Sequence, residues 1–285
     1  MGVELLRDPE LAQLAERCGA AAGVDLRRLL TEADDDELRL TANAQPALLF
    51  VGVALARLLE RKGIRPLAAA GHSVGEYSAL CVAGAIDAPL AVKTVVERGR
   101  AMGEAAPPGT SSMLAVLGIS PQAVSGALAG VPEVWPANFN TPTQTVVGGT
   151  TAGLERAQEP LSAAGARRLV PINVAAAFHT PLMEPAGAAL RRALGEAGWR
   201  TPSLPVVANL TAEPYADVSD IPASLEKQLS SPVRWADCIG RLGELGCGTF
   251  YELGPKKALT GMMRELVPDA TAIAVSSPEA VERLQ

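Results

Sequence analysis

The chain has 285 residues and a net charge of −6, with 48% hydrophobic and 20% charged residues, a composition typical of a globular protein. The acidic balance, without a long basic run, argues against a nucleic-acid partner, and no uninterrupted apolar run approaches the roughly 18 residues of a membrane span. The N-terminus lacks an apolar signal-peptide region, and the four cysteines lack CxxC spacing, so we expect reduced thiols and a cytoplasmic location.

The first part of the chain is predicted to be helical up to a glycine-rich turn. Residues 4–31 and 45–62 are predicted to form helices, and the second should be buried because its first turns are apolar on all sides. A short apolar run, residues 66–70, enters the sequence Gly71-His72-Ser73-Val74-Gly75, and two more helices are predicted between residues 77 and 106. The succession of strand, sharp turn and helix favours a nucleophile elbow.

The pattern changes after Pro107-Pro108-Gly109. Residues 111–174 are predicted to form elements in the order β-α-β-β-α-β, which is the split βαβ pattern of a ferredoxin-like unit. We therefore expect an α/β protein in which a subdomain, residues 109–174, is inserted into a core made of residues 1–108 and 175–285. The rest of the core is predicted to contain a helix at 183–198, a strand at 204–210, a helix at 224–231 and a strand at 248–255.

Ser73 is the candidate nucleophile, because a serine between two glycines after a strand is the arrangement of an elbow. The Val74 amide, at the start of the following helix, is the candidate oxyanion donor. An ordinary tight turn is the alternative interpretation of these glycines.

A serine hydroxyl needs a base, and the chain has only two histidines. His72 adjoins Ser73 and is predicted to point elsewhere and pack under the turn. His179 lies in a loop-like segment before a helix, where site residues are common, and is the candidate base. No acidic residue is marked by a motif as the partner of this histidine, and a backbone carbonyl could hold its Nδ1–H equally well.

Several segments resemble one enzyme family over nearly the whole chain, from about residue 3 to about residue 275. They are GHSVGEYSAL, ANFNTPTQTVVGG, AFHTPLMEPA, and QLSSPVRW followed by YELGP. Together they are similar to malonyl-CoA:acyl carrier protein transacylases, of fatty acid synthesis and of polyketide synthases. The resemblance implies an α/β-hydrolase-like core with a ferredoxin-like subdomain. It also implies malonyl transfer from malonyl-CoA to an acyl carrier protein, with no cofactor beyond the CoA thioester and no metal.

The same resemblance implies roles for individual residues. Ser73 would take the acyl group, His179 would be the base, and the main-chain carbonyl of Gln228 would orient that histidine. Arg98 would bind the malonyl carboxylate, which a guanidinium can hold through two parallel hydrogen bonds. Met102 lies one helical turn beyond Arg98 on the same face.

Phe178 precedes the candidate base and bears on the acyl group. Malonyl-selective members of the family carry Phe there and methylmalonyl-selective members carry Ser, because a bulky ring would crowd an α-methyl branch. Discrimination by one methyl group amounts to about 1–3 kcal/mol, so the expected effect is a preference.

The chain departs from the family pattern at its beginning. It lacks the N-terminal Phe-Pro-Gly-Gln-Gly-x-Gln motif, whose glutamine amide is the family's second oxyanion donor. A start codon assigned too late is the favoured interpretation, and a weakened enzyme or one completed by a partner is the alternative.

Two other functions remain open at this stage. One is an acyl-thioester hydrolase with the same Ser-His pair, and the other is a non-catalytic relative. For the carrier protein, which is acidic in this family, the candidate docking residues are basic pairs, Arg167 with Arg168 and Lys256 with Lys257.

Overall fold

The structure is a computed structural model, and it describes residues 1–107 and 109–284, without the side chain of Arg39. Within these residues, helices surround two parallel pairs of short strands, and a four-stranded antiparallel sheet forms a separate layer. The chain is therefore a mixed α/β protein, as predicted.

The N-terminal segment consists of several short helices. They are a 3₁₀ helix (Val3–Arg7), α1 (Pro9–Ala22), α2 (Leu26–Thr31) and α3 (Asp35–Arg39). The prediction of one helix over residues 4–31 is wrong in its continuity, because Gly23 takes a φ of 67° and ends α1 in the left-handed conformation.

The long helix α4 (Thr41–Arg61) is the centre of the larger core. Leu49, Phe50 and Leu55 on this helix are completely buried. By length and composition it is the single described helix that could cross a membrane, but 61% of its most apolar window is buried inside the fold. The same composition is required of a helix packed on several sides in a protein core.

A strand and two helices follow in the order that the sequence predicts. Strand β1 (Ala69–Ala70) leads through the glycine turn into α5 (Gly75–Val82), which is followed by α6 (Ala88–Ala105). The strand pairs in parallel with β6 (Val206–Val207). The turn after β1 therefore lies at the carboxyl end of parallel strands, where ligand sites form in α/β proteins.

The antiparallel sheet lies within the limits predicted for the subdomain. Its elements are β2 (Ser111–Leu117), α7 (Pro121–Ala127), β3 (Val134–Thr141), β4 (Gln144–Thr150), α8 (Thr151–Ala163) and β5 (Arg168–Ile172). The spatial order is β3-β4-β2-β5 with every pair antiparallel. The two βαβ units are β2-α7-β3 and β4-α8-β5. Strand β4 lies between the strands of the first unit and β2 between those of the second, which is the split βαβ arrangement.

The remaining elements complete the larger core. They are a 3₁₀ turn (Pro181–Met183), α9 (Glu184–Gly195), β6, α10 (Asp220–Gln228), α11 (Trp235–Glu244), β7 (Thr249–Leu253), α12 (Ala258–Leu266), β8 (Thr271–Val275) and α13 (Pro278–Glu282). The strand predicted at 204–210 is only two residues long, because the chain turns after Val207 and the Ala208 N–H donates to the Glu213 carbonyl at 3.0 Å.

The small sheet is joined to the core by the segment after α10. The Phe139 N–H donates to the Val233 carbonyl, and the Val233 N–H donates to the Ala137 carbonyl, both at 2.9 Å. The free edge of β3 is thereby covered, and the end of α10 is fixed at the seam between the two parts.

Candidate active site

The glycine turn after β1 has the sharp geometry of a nucleophile elbow. Ser73 has a φ of 54°, in the left-handed region that costs a non-glycine residue about 1–3 kcal/mol. A Cβ on Gly71 would lie 2.0 Å from the Gly75 carbonyl carbon, so this position accepts only glycine. A serine in this conformation between two glycines, after a strand and before a helix, has the geometry that an elbow requires.

Ser73 and His179 form a hydrogen-bonded pair. The Ser73 Oγ lies 2.7 Å from His179 Nε2, and His179 Nδ1 lies 2.9 Å from the main-chain oxygen of Gln228. Because a carbonyl can only accept, the proton belongs on Nδ1, and Nε2 is left to accept from the serine hydroxyl. The imidazole therefore has the tautomer and orientation that a general base needs.

The loop that carries His179 lies against the small sheet. The Ala177 N–H donates to Ser111 Oγ at 3.2 Å, and Thr180 Oγ1 donates to the Ala177 carbonyl at 2.6 Å. A Cβ on Gly148 of β4 would lie 2.9 Å from Thr180 Cγ2, so the loop depends on a glycine in the sheet. His179 itself has a φ of 60° and is buried. The subdomain thus helps to hold the candidate base.

Arg98 lies on α6 with its side chain 1% exposed, directly beside the serine. Its Nη2 donates to Ser73 Oγ at 3.0 Å and to Gln228 Oε1 at 3.1 Å, and its Nη1 donates to Gln45 Oε1 at 2.7 Å. Its Nε has no hydrogen-bond partner in the described part of the chain. Arg98 is therefore a fixed cation at the nucleophile, with three of its five N–H donors engaged and its Nε unpaired among the described residues.

Tyr77 and Met102 line the surroundings of this arginine. The Arg98 guanidinium carbon lies 5.8 Å from the Tyr77 ring centroid, within the range of a cation–π contact. Met102 is buried, and its sulfur accepts from Gln45 Nε2 at 3.3 Å. Gln45 therefore lies between the two side chains: it donates to the Met102 sulfur and accepts from Arg98.

Phe178 is half-buried at the junction of the two parts. Its ring packs against the main core and against the apolar cluster under the small sheet, which contains Met113 and Val146. The role of Phe178 toward the acyl group stays a prediction.

A buried carboxylate, Glu76, lies behind the serine. Its Oε2 accepts from the Asn209 N–H at 2.9 Å and from Gln228 Nε2 at 2.7 Å, and its Oε1 accepts from the Tyr215 hydroxyl. Asn209 Oδ1 in turn accepts from the Ser73 N–H at 2.7 Å. The elbow is therefore held from behind by a network of polar side chains.

The Val74 amide is available at the start of α5. Within the described residues no protein acceptor is recorded for this N–H, while the Gly75 N–H donates to the His72 carbonyl and the Glu76 N–H to the Ser73 carbonyl. An unpaired N–H at a helix start favours negative charge nearby.

Burial and the nearby arginine determine the electrostatics of the site. Burial is the larger cause and the Arg98 charge the second, and together they lower the pKa of His179 to about 3. Burial also lowers the pKa of Arg98, against the raising effect of Tyr77 and Glu76. His179 is therefore neutral at neutral pH, the state in which it can accept the serine proton.

The other histidine is directed away from the nucleophile. His72 Nε2 lies 3.1 Å from Asn140 Oδ1, and its ring centroid lies 5.5 Å from that of Trp235. This placement agrees with the prediction that His72 packs under the turn. The basic residues predicted to dock a carrier protein, Arg167, Arg168, Lys256 and Lys257, are all exposed.

Three site residues were missed in the sequence. Gln45 lies in the second turn of the apolar helix α4, Glu76 lies in the first turn after the elbow, and Asn209 follows β6. The position of Asn209 at the carboxyl end of a predicted strand was a usable signal, because site residues collect there. Glu76 could have been suspected because a carboxylate beside a nucleophile must be either exposed or held by donors.

Comparisons with known proteins agree on one family. A family model described as an acyl transferase domain matches residues 1–279. This chain belongs to that acyl transferase family. The malonyl CoA-acyl carrier protein transacylase of Bacillus subtilis (strain 168) is 39% identical over 287 aligned residues, which cover 99% of this chain and 90% of the relative.

Solved structures place the acyl transferase fold over the whole chain. An acyl carrier protein S-malonyltransferase from Vibrio cholerae matches with a TM-score of 0.95 and 35% identity, over 100% of this chain and 95% of that one. A malonyl-transacylase in complex with a type II PKS acyl-carrier protein matches with a TM-score of 0.93 and 36% identity, over 98% and 92%. The predicted fold class, an α/β-hydrolase-like core with a ferredoxin-like subdomain, is confirmed.

Proposed function

We propose that this acyl transferase moves a malonyl group from malonyl-CoA to the phosphopantetheine thiol of an acyl carrier protein through an ester on Ser73. The proposal is supported chiefly by the position of the Ser73 hydroxyl: its Oγ lies 2.7 Å from His179 Nε2 and 3.0 Å from Nη2 of the buried Arg98. The names of its relatives support the same substrates.

In the first half-reaction His179 Nε2 takes the proton of the serine hydroxyl as Oγ attacks the thioester carbonyl carbon. The C–S bond then breaks, and the CoA sulfur leaves with the proton that His179 returns. Gln228 keeps Nδ1 protonated through its main-chain oxygen and stabilises the imidazolium that forms transiently.

The Val74 N–H is the proposed donor to the negative oxygen of the tetrahedral intermediate. It lies next to the nucleophile at a helix start, where the helix dipole favours negative charge. Removing one such donor typically lowers kcat by about 10²–10³-fold in other acyl-transfer enzymes.

Arg98 is the proposed partner of the malonyl carboxylate. In the free enzyme its Nη2 donates to the Ser73 hydroxyl and to Gln228, and its Nε is unused among the described residues. Once the serine carries an acyl group, the Nε hydrogen and the Nη2 hydrogen released by Ser73 are available to the carboxylate at the far end of that group. A carboxylate that enters a buried pocket must meet a fixed cation, because an unpaired buried charge is costly.

In the second half-reaction the carrier thiol gives its proton to His179, and its sulfur attacks the ester carbonyl. The C–O bond breaks, and Ser73 Oγ recovers the proton from His179. This half-reaction balances without any further cofactor.

We propose that four exposed basic residues attract the acidic carrier protein: Arg167, Arg168, Lys256 and Lys257. We also propose that the transfer takes place in the cytoplasm, in keeping with four free cysteines.

The second candidate function is an acyl-thioester hydrolase that uses the same Ser-His pair, and the buried Arg98 argues against it. An enzyme that removes varied acyl groups has no use for a buried cation beside its nucleophile, since uncharged chains would leave that cation unpaired.

Mass spectrometry of the intact protein tests the proposal. Brief exposure to malonyl-CoA should add one malonyl group to the Ser73 peptide, and a carrier thiol should remove it faster than water does. Ser73→Ala should remain unlabelled. Labelling of the alanine variant would reject Ser73, and removal by water at the same rate would favour the hydrolase.

A further inference from the structure

Two charged side chains, Glu76 and Arg98, are fully buried among the described residues. They are joined by the side-chain amide of Gln228, which accepts from Arg98 Nη2 at 3.1 Å and donates to Glu76 Oε2 at 2.7 Å. Opposite charges are thus connected through one amide, and neither would be stable in the core without a partner.

The acceptor character of Glu76 determines how that amide is oriented. An ionised carboxylate only accepts hydrogen bonds, and here it receives three, from Asn209, Gln228 and Tyr215. Gln228 must therefore turn its NH₂ toward Glu76 and its carbonyl toward Arg98. With the opposite orientation the NH₂ would face the guanidinium, which also can only donate.

The same carboxylate is connected to the nucleophile and to the base. Asn209, whose N–H it accepts, receives the Ser73 N–H at 2.7 Å and donates to the Gly71 carbonyl at 2.8 Å. Gln228, which it anchors by the side chain, holds His179 by its main-chain oxygen. The Glu76 carboxylate makes no hydrogen bond to Ser73, His179 or Arg98. Its partners Asn209 and Gln228 do, since Asn209 accepts from the Ser73 N–H and Gln228 contacts both His179 and Arg98.

We propose that Glu76 is a positioning residue for acyl transfer, which sets Arg98 and His179 through Gln228 and the Ser73 elbow through Asn209. The inference rests on the proposed function, because its effect is defined on the acylation of Ser73. It assigns this carboxylate to the reaction, although it makes no contact with His179 of the kind found in a Ser-His-Asp triad.

The direct test is Glu76→Gln, measured as the rate of Ser73 acylation by malonyl-CoA and by acetyl-CoA. A glutamine carries no charge and has one acceptor oxygen. Its NH₂ must face either Tyr215, whose hydroxyl can accept, or Asn209 and Gln228, which then lose their acceptor, and in both cases the charge that Gln228 connects to Arg98 is lost. We expect acetylation to fall about 10-fold and malonylation about 10²-fold, because misplaced groups cost rates of this order and only malonyl needs Arg98.

Tyr215→Phe is the matched control. It removes a donor to the same carboxylate, but from the side that is connected to neither Gln228 nor Asn209. Both acylation rates should remain within about threefold of the parent, although the variant also loses a buried hydrogen bond.

A double exchange, Glu76→Gln with Gln228→Glu, separates positioning from a general loss of folding. Residue 76 then donates its NH₂ to the new carboxylate and accepts from the Tyr215 hydroxyl, while position 228 accepts from Arg98. The Asn209 N–H, which shares Glu76 Oε2 with Gln228 in the parent, loses its acceptor. Acetylation should therefore recover in part, because the connection from residue 76 through position 228 to Arg98 is restored and the connection to Asn209 is not. Malonylation should stay low, because the new carboxylate pairs with Arg98 directly and competes with the substrate.

The outcomes are distinct. If the parent is not labelled by malonyl-CoA, the proposed function fails. If the parent is labelled but Glu76→Gln reacts at the parent rate, only the positioning role fails. The same holds if Glu76→Gln loses malonylation and acetylation equally and Tyr215→Phe shows losses of the same size. Should Glu76→Gln not fold, the exchange decides: a folded exchange variant without acetylation overturns the inference, and recovered acetylation supports it.

Discussion

Two regions of this protein carry the cations that we propose for substrate recognition, and they are built in opposite ways. Around the elbow, Arg98 is buried and donates to Ser73, Gln45 and Gln228 within 3.1 Å. On the surface, Arg167 and Arg168 are exposed at the start of β5. A buried charge is screened little by salt, whereas an exposed charge acts over about one Debye length, roughly 8–10 Å.

A buried cation and an exposed cation therefore contribute differently to the reaction. In the elbow region a charge acts on the pKa of its neighbours and on the orientation of the acyl group. On the surface the same type of residue can change the rate of encounter with a partner. The predictions below test this division, from the chemistry of the centre outward to the surface.

The largest effect is expected for His179→Ala. Its acylation by malonyl-CoA should fall by about 10⁴-fold or more, because the serine loses its only base. His72→Gln, which changes the histidine packed against Trp235, is the control and should lose less than about 10-fold. Quenched-flow mass spectrometry measures both, and equal losses would show that the two histidines were assigned incorrectly.

Arg98→Ala should separate two substrates. Malonylation should fall by about 10²–10³-fold, because two charge-assisted hydrogen bonds to the carboxylate are lost, and acetylation by less than about 10-fold. Arg167→Ala, the matched surface variant, should leave both rates unchanged. Equal losses of malonyl and acetyl transfer in Arg98→Ala would assign this arginine to structure alone.

The pH dependence of Arg98→Ala sharpens the same point. The positive guanidinium disfavours the imidazolium and is the second cause, after burial, of the low pKa of His179. Removing it should raise that pKa, so the acid limb of kcat/KM for acetyl transfer should move to higher pH than in the parent. The parent should keep its base neutral well below pH 6, in line with a pKa of about 3. An acid limb that stays in place would mean that Arg98 has no electrical effect on the base.

Phe178→Ser tests the junction of the two parts. The smaller side chain should raise methylmalonyl transfer relative to malonyl transfer by about 10-fold, the typical effect of accommodating one methyl group. The ratio of kcat/KM values for the two CoA esters gives the answer. An unchanged ratio would place the acyl branch away from this ring.

The smallest effect is expected at the surface. Arg167→Glu with Arg168→Glu should raise the KM for an acyl carrier protein about 3–10-fold at low salt and leave malonylation of Ser73 unchanged. The variant Lys256→Glu with Lys257→Glu, measured in the same way, shows whether the second basic pair affects the KM for the carrier. A double variant that transfers to the carrier as well as the parent at low salt would remove its pair from the docking surface.

Much of the fold was predictable because its signals are local. The glycine elbow, the apolar helix before it and the β-α-β-β-α-β order all appear as short-range patterns, and the structure has them in the same order. The helix boundaries near Gly23 were predicted less well, because a single glycine inside an apolar helical pattern does not reveal that it will take a positive φ.

The candidate site was predictable only in part. Ser73, His179 and Arg98 carry recognisable chemistry in a motif or a resemblance, and the structure brings them within hydrogen-bond distance of one another through the serine. Their roles remain predictions until the variants above are measured. Gln45 had no such mark, because a buried glutamine looks like a solvated one in a helical sequence, and Glu76 was marked only by its place three residues after the nucleophile.

By itself, the sequence determined the elbow, the class of its nucleophile and the order of the secondary structure, since these depend on neighbouring residues. The tertiary structure alone decided that Glu76 and Arg98 share the core and that Gln228, 130 positions after Arg98, connects them. It also places the Gln228 carbonyl, which the family resemblance names as the partner of the base, 2.9 Å from His179 Nδ1. The physical reason is that a buried charge is tolerated only where distant segments supply its hydrogen-bond partners, and those partners are chosen by packing rather than by sequence neighbours.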